Sequence, residues 1–287
     1  NNEHSTRDEL ADALRSSYGK GEKTSIPSLP VERAQEILVV LHMLHKEGRL
    51  PADMPVYVDI PLAIKATEIF RRHDKFFDSK AKAITEAGDN PFSVPGLVYT
   101  PKTEDSRAIN ERKGPGIVIS ASGMCNAGRI KHHLRHNLWR RGAGIVFVGF
   151  QAVGTPGRRL VDGAKSITLF GEDIKVEARI FTIGGFSGHA GQSQLLGWLK
   201  GFQQKQMKVV LVHGEEKAQE TLAALIRERF GLDVDIPGNM ETLELKPGAM
   251  PPLEKDLTDR GDLVNWDQVF SLTDDNSLKL QAAALAG

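Results

Sequence analysis

Cysteine is almost absent. Cys125 is the only one in 287 residues, which excludes an internal disulfide and any multi-cysteine zinc site and suits a reducing, cytoplasmic setting. No stretch of about 18 apolar residues occurs, so no membrane-spanning helix is expected. The opening residues Asn1-Asn2-Glu3-His4-Ser5 lack both the apolar core of a signal peptide and an initiator methionine, and the chain is expected to begin inside a longer protein. A net charge of either sign is also missing, with 37 Lys plus Arg against 37 Asp plus Glu. No global field therefore draws the molecule to nucleic acid or to an anionic membrane, and any such attraction requires a local patch.

What is present is ordinary for a globular protein: 40% hydrophobic and 26% charged residues, in a length that fits one large or two modest domains. Helical and strand patterns alternate over the first 160 residues or so. Leu10, Ala13 and Leu14 lie at helical spacing before a short strand at Lys23-Thr24-Ser25-Ile26. Ala34, Ile37, Leu38, Leu41 and Leu44 mark an amphipathic helix, and further helices are expected over 61–72, 78–87 and 129–140. The runs Gly116-Ile117-Val118-Ile119-Ser120 and Gly144-Ile145-Val146-Phe147-Val148-Gly149 are continuously apolar, as in strands buried on both faces of a parallel sheet. The fold class expected is α/β, an open parallel sheet with flanking helices.

After residue 160 or so the pattern changes. Residues 166–170 and 173–183 read as two adjacent strands turning at Gly171-Glu172, followed by a helix over 192–202, a strand over 209–212, a helix over 216–230 and a last strand at 234–236. The tail from Pro251 carries seven acids and three bases, a net charge of −4 with weak periodicity, and is expected to be an acidic appendage.

Two histidines sit where strands end. His213 follows Val209-Val210-Leu211-Val212, and His189 lies in Gly184-Gly185-Phe186-Ser187-Gly188-His189-Ala190 between a strand and a helix. Open α/β sheets collect ligands at this strand edge, and a neutral imidazole there can bind zinc while a charged one can act as an acid; either could equally cap a turn. A small-residue loop, Ser120 to Gly128, has the character of a phosphate cradle without P-loop spacing. It is followed by Arg129, Lys131, Arg135, Arg140 and Arg141 with no acid from residue 127 to 161, and by Arg158 and Arg159 near another helix start. This is a local positive field suited to a nucleic-acid backbone, the alternative being a merely solvated face. Trp139 is placed to stack on a base or to fill the core. Asp59 ends a strand, where it either lines the same cleft or caps the next helix. Cys125 beside His132 or His133 is a weaker candidate, for a thiol nucleophile in a small-molecule α/β enzyme.

Four ordered motifs carry a resemblance. Ser120-Ala121-Ser122-Gly123-Met124, Gly149-Phe150-Gln151-Ala152-Val153-Gly154-Thr155 with Gly157-Arg158-Arg159, Phe186-Ser187-Gly188-His189-Ala190 and Val212-His213-Gly214-Glu215 together resemble β-CASP proteins, metallo-β-lactamase-fold nucleases acting on RNA or DNA. The resemblance implies that residues 1–25 end a first metallo-β-lactamase segment and 26–160 form the β-CASP α/β domain. Residues 161–250 would return to the metallo-β-lactamase part as an RNA-specificity segment, and 251–287 are the acidic tail. It further implies a zinc-dependent phosphodiesterase with two metal ions, in which His213 is a metal ligand and His189 the general acid. Ser120, Ser122, Gly123 and Ser187 would face phosphates, with Arg129, Lys131, Arg135, Arg158 and Arg159 contributing to substrate binding. The family's H-x-H-x-D-H zinc motif is absent, since no two histidines here are spaced as His-x-His, so this chain alone is expected to be inactive. Single-stranded RNA is the implied partner, with DNA and homo-oligomerisation left open and no membrane partner expected. The competing reading is a non-catalytic RNA-binding or assembly module.

Overall fold

A computed structural model describes residues 3–186, 188–202 and 207–244. These fall into two compact units that divide between Ala190 and Gly191. In the first unit the chain runs α1 (Glu3–Tyr18), β1 (Lys23–Pro27), α2 (Arg33–Lys46), β2 (Val56–Asp59), α3 (Pro61–Arg72), α4 (Ser79–Glu86), β3 (Leu97–Tyr99), α5 (Thr103–Glu111), β4 (Gly116–Ser120), α6 (Ile130–Asn137), β5 (Gly144–Phe147), α7 (Pro156–Val161), β6 (Ser166–Leu169), β7 (Glu172–Lys175) and β8 (Arg179–Thr182). Six strands form one parallel sheet in the order β3-β2-β4-β1-β5-β8, so every strand ends at the same edge.

The apolar runs build this sheet because both of its faces are covered, and successive residues of one strand feed opposite layers. Ile117 and Ile119 of β4 pack with Val56, Val58, Leu10, Leu14, Ile37 and Leu41 on the face of α1 to α3. Val118, between them, turns to Tyr57 and Ile109 of α5. On that second face Ile145 and Phe147 of β5 meet Ile130, Leu134 and Leu138 at α6, Leu160 of α7 and Ile167 and Leu169 of β6. Each such fully buried aliphatic side chain contributes about 1.5–3 kcal/mol of transfer free energy.

Two elements depart from the sequence expectation. The helix α5 was not foreseen, since its nine residues Thr103–Glu111 are polar and only Ser106 and Ile109 are buried, a stripe too thin to register as amphipathic periodicity. The segment after residue 166 is not one pair of strands: β6 and β7 make the antiparallel hairpin, and Arg179–Thr182 leaves it to pair in parallel with β5. The change of partner follows main-chain bonds from the Glu177 and Ala178 N–H groups to the Leu138 carbonyl, both 2.8 Å.

The second unit contains α8 (Gln192–Leu199), β9 (Lys208–Val210), α9 (Glu216–Phe230) and β10 (Asp233–Asp235). β9 and β10 pair in parallel with Val209 opposite Val234. Leu196, Leu199, Ala223, Ile226, Leu232 and Val234 form its core. Gly231 closes α9 at φ 65°, a left-handed cap that glycine adopts without steric cost. The acidic tail lies outside the described residues. Among the described residues no helix is long and apolar enough to cross a membrane.

Candidate functional site

The C-terminal edge of the six-stranded sheet is built from the loops that follow β4 and β5 and the turn that follows β8. The loop after β4 folds on itself: Ser122 Oγ donates to Asn126 Oδ1 at 2.7 Å, and the Ile130 N–H donates to the Ala121 carbonyl at 2.9 Å. Gly128 sits at φ 77°, and a Cβ there would lie 2.3 Å from the Ala121 oxygen, so the return of this loop into α6 requires glycine. Gln151 binds the two loops together. Its buried amide Nε2 donates to the carbonyls of Gly123, Gly149 and Phe150, each at 3.1 Å. A Cβ on Gly157 would come within 1.9 Å of Gln151 Oε1, so the start of α7 closes on the same amide. Around this anchored frame Leu29, Phe150 and Val153 are exposed, Phe150 by 61%.

Beneath the loops lies a polar cluster with Asp59 at its centre. Both Asp59 and His133 are fully buried as side chains, with His133 Nε2 at 2.7 Å from Asp59 Oδ2 and His133 Nδ1 at 3.0 Å from Asn110 Oδ1. Ser106 Oγ donates to Asp59 Oδ2 at 2.7 Å, Thr100 Oγ1 to Oδ1 at 2.8 Å, and the Arg129 guanidinium to Oδ1 at 2.8 Å. Burial pushes the Asp59 carboxyl up, but the hydrogen bonds from His133, Ser106 and Thr100 outweigh it and hold the group below its ordinary value. Asp59 neither lines a cleft nor caps α3, whose N-cap Ile60 has no side-chain hydrogen bond. It ties β2 to α5, α6 and the loop after β3.

This arrangement decides where the expected substrate residues stand. Ser120 is fully buried and its hydroxyl donates to the Asp59 carbonyl at 3.3 Å, so it faces the interior and not a ligand. Arg129 is drawn inward, donating to Asp59 and to the carbonyls of Thr100 and Pro101 at 2.7 and 3.1 Å. Ser122 and Gly123 stay at the loop surface, half-buried. Lys131 lies over the Phe170 ring at 4.8 Å. Arg135 forks onto Glu172, at 3.0 and 2.6 Å. Arg158 pairs with Asp162 at 2.9 Å, and Arg159 donates to the Ser166 carbonyl at 3.3 Å. The stretch that is free of acids in sequence is therefore partly neutralised by acids from distant segments.

His189 is exposed in the turn after β8. The Phe186 side chain just before it is buried, and Gly185 stands where any Cβ would meet Thr6 Oγ1 at 1.6 Å. Ser187 lies outside the described residues. His213 belongs to the second unit, where it is exposed beyond β9 and holds φ 64°, a left-handed conformation uncommon for a side-chain-bearing residue and enriched at functional sites. Gln219 Nε2 fixes this turn by donating to the Leu211 carbonyl at 3.1 Å. Cys125 is buried against α6 and β5, and burial pushes its thiol up to about 12, which removes it as a nucleophile at neutral pH. His133, its suggested partner, faces Asp59 instead.

Residues 34–160 match the Beta-Casp domain, and residues 173–237 match the Zn-dependent metallo-hydrolase RNA specificity domain. The chain belongs to the β-CASP family. As a β-CASP protein it is 40% identical over 221 residues to ribonuclease TTHA0252 of Thermus thermophilus, covering 77% of this chain and 50% of that one. It is 32% identical over 244 residues to transcription termination factor FttA of Lokiarchaeum, covering 83% and 38%, and 30% identical over 243 residues to FttA of Pyrococcus abyssi, covering 83% and 37%. The chain thus spans half the length of the ribonuclease and less than two fifths of the termination factors.

Zinc fits the residues described here only in part. Among the described residues no three His, Cys, Asp or Glu side chains gather as a metal site needs, so His213 does not complete a zinc shell with its neighbours.

Proposed function

We propose that this chain is the substrate-handling part of an RNA phosphodiesterase of the β-CASP type, zinc-dependent in the intact protein. The observation that carries the reading is the succession of two family domains, the second of them an RNA specificity domain of zinc-dependent metallo-hydrolases. It is supported by the loops after β4 and β5, which Gln151 locks into one rigid edge with the Ser122–Gly123 turn and the Phe150 ring at its surface. A fixed edge of this kind holds a flexible single strand at low entropic cost.

In this reading the Ser122 to Gly123 turn and Ser187 meet the substrate phosphates, and Arg158, Arg159 and Lys131 contribute positive potential. His189 gives its proton to the leaving oxygen, and His213 is one metal ligand among others supplied from outside the described residues. Ser120 and Arg129 act indirectly, by holding the loop and α6 on Asp59. The setting is a reducing one, consistent with a single buried thiol.

The test is cleavage of single-stranded RNA together with zinc content, measured for this chain and for a longer chain that includes it. Metal and cleavage in the longer chain only, with His213→Ala lowering zinc and His189→Ala lowering turnover while sparing zinc, are expected. RNA binding without cleavage or zinc in both chains would refute the phosphodiesterase reading in favour of a binding module.

A further inference from the structure

The basic stretch does not form one patch. Arg129 and Arg135 are engaged around α6, whereas Trp139, Arg140 and Arg141 lie between α6 and β5, ahead of the strand. Because all six strands are parallel, this places them at the N-terminal edge of the sheet, opposite the loops described above. Lys20 and Glu22 precede the neighbouring strand β1 at the same edge. Together with Gly142 these five residues line a wide, open surface depression of about 560 Å³.

Trp139 lies just past the end of α6 and is 53% exposed, which removes a core role for it. The Arg140 guanidinium carbon lies 4.9 Å from its ring centroid and is fixed there by Glu22 at 3.2 Å and by the His136 carbonyl at 3.1 Å. Arg141 reaches Glu177 at 3.2 Å yet keeps 86% of its side chain in solvent. Lys20 makes a third cation against the single carboxylate of Glu22 in the lining. Lys23, at the start of β1, is held below its ordinary value first by burial and then by the charge of Arg140, with Glu22 opposing. An exposed indole plane beside three cations in a concavity matches a nucleobase with its adjoining phosphate.

We infer that the N-terminal edge of this sheet is a second nucleotide-binding site, where the Trp139 indole, backed on one side by the Glu22-held Arg140, stacks on a base and Arg141 and Lys20 take the neighbouring phosphate. Its ligand class rests on the RNA reading above, but its position is separate from the histidine-bearing edge. The five residues of β1 span about 16 Å, so a strand touching both edges must be longer than one that fills either alone.

The experiment uses the 287-residue chain and uridine oligonucleotides of about 4 and about 20 residues, followed by anisotropy, with free uridine monophosphate followed by Trp139 fluorescence in a Trp198→Phe/Trp266→Phe background. The longer oligonucleotide is expected to bind more tightly than the shorter. Trp139→Ala should abolish that advantage, a loss of about 5- to 150-fold, and Trp139→Phe should restore most of it. Arg141→Gln should reduce the slope of log affinity against log salt by about 0.7. Quenching of Trp139 by the mononucleotide, with affinity for the long oligonucleotide unchanged in Trp139→Ala, would keep the site and assign it to a free nucleotide. Unchanged affinity with no quenching would overturn the proposal, and Trp139→Phe with Arg141→Gln decides it if Trp139→Ala does not fold. Failure of the longer chain to cleave RNA would refute the phosphodiesterase reading while leaving these binding ratios intact, so the two failures are distinct.

Discussion

Removing the Asp59 carboxylate should be among the most damaging single changes in the first unit. Four side chains donate to it, from Thr100, Ser106, Arg129 and His133, and both Asp59 and His133 are fully buried. Asp59→Ala leaves the Arg129 charge and the His133 ring without their acceptor, and breaking a buried pair in this way costs about 3–5 kcal/mol. For a unit of this size that corresponds to roughly 6–20 °C in melting temperature. Asp59→Asn keeps an acceptor oxygen for Thr100 and Arg129 and should cost about half as much. The pH dependence follows from the sign of the shift. The folded carboxyl is held below its ordinary value, so its stabilisation is present in full above the unfolded value of about 3.9 and is lost as pH falls through the folded one. Calorimetric melts of wild type and Asp59→Asn should therefore differ by a constant amount from neutral pH down to about 4 and converge below it. A melting temperature for Asp59→Ala within about 2 °C of wild type would refute the claim that this cluster holds α5 and α6 to the sheet.

Arg135 is already engaged by Glu172 in a bidentate pair, so Arg135→Gln should alter the salt slope of RNA binding by less than about 0.7, whereas Glu172→Gln should free the guanidinium and raise affinity at low salt. A full loss of one phosphate contact in Arg135→Gln would show that RNA displaces the pair. Cys125, with its thiol pushed up to about 12, should resist iodoacetamide in the folded protein near about pH 8 and react only after denaturation. Fast stoichiometric labelling of the native chain would contradict its burial.

Much of this architecture is legible in the sequence. The continuous apolar runs around Ile119 and Ile145 identify strands covered on both faces, since only a parallel sheet between helix layers can bury every residue of such a run. Glycines at the ends of those runs locate the loops, and the four motifs, taken in order, carry the resemblance to the family. Those signals are local, and the chain encodes them in adjacent residues.

Tertiary structure alone decided which charges meet. The acid-free stretch from residue 127 to 161 reads as a strong positive patch, but Asp59, Glu172, Glu22 and Glu177 arrive from segments up to 118 positions away to engage Arg129, Arg135, Arg140 and Arg141. His133, one of several histidines on a basic helix, became the buried partner of Asp59, and Trp139 was turned to solvent. Hydrophobic periodicity constrains which face of an element is buried, whereas a Coulomb or hydrogen-bond partner is set by distances of a few ångströms that the packing of whole elements establishes.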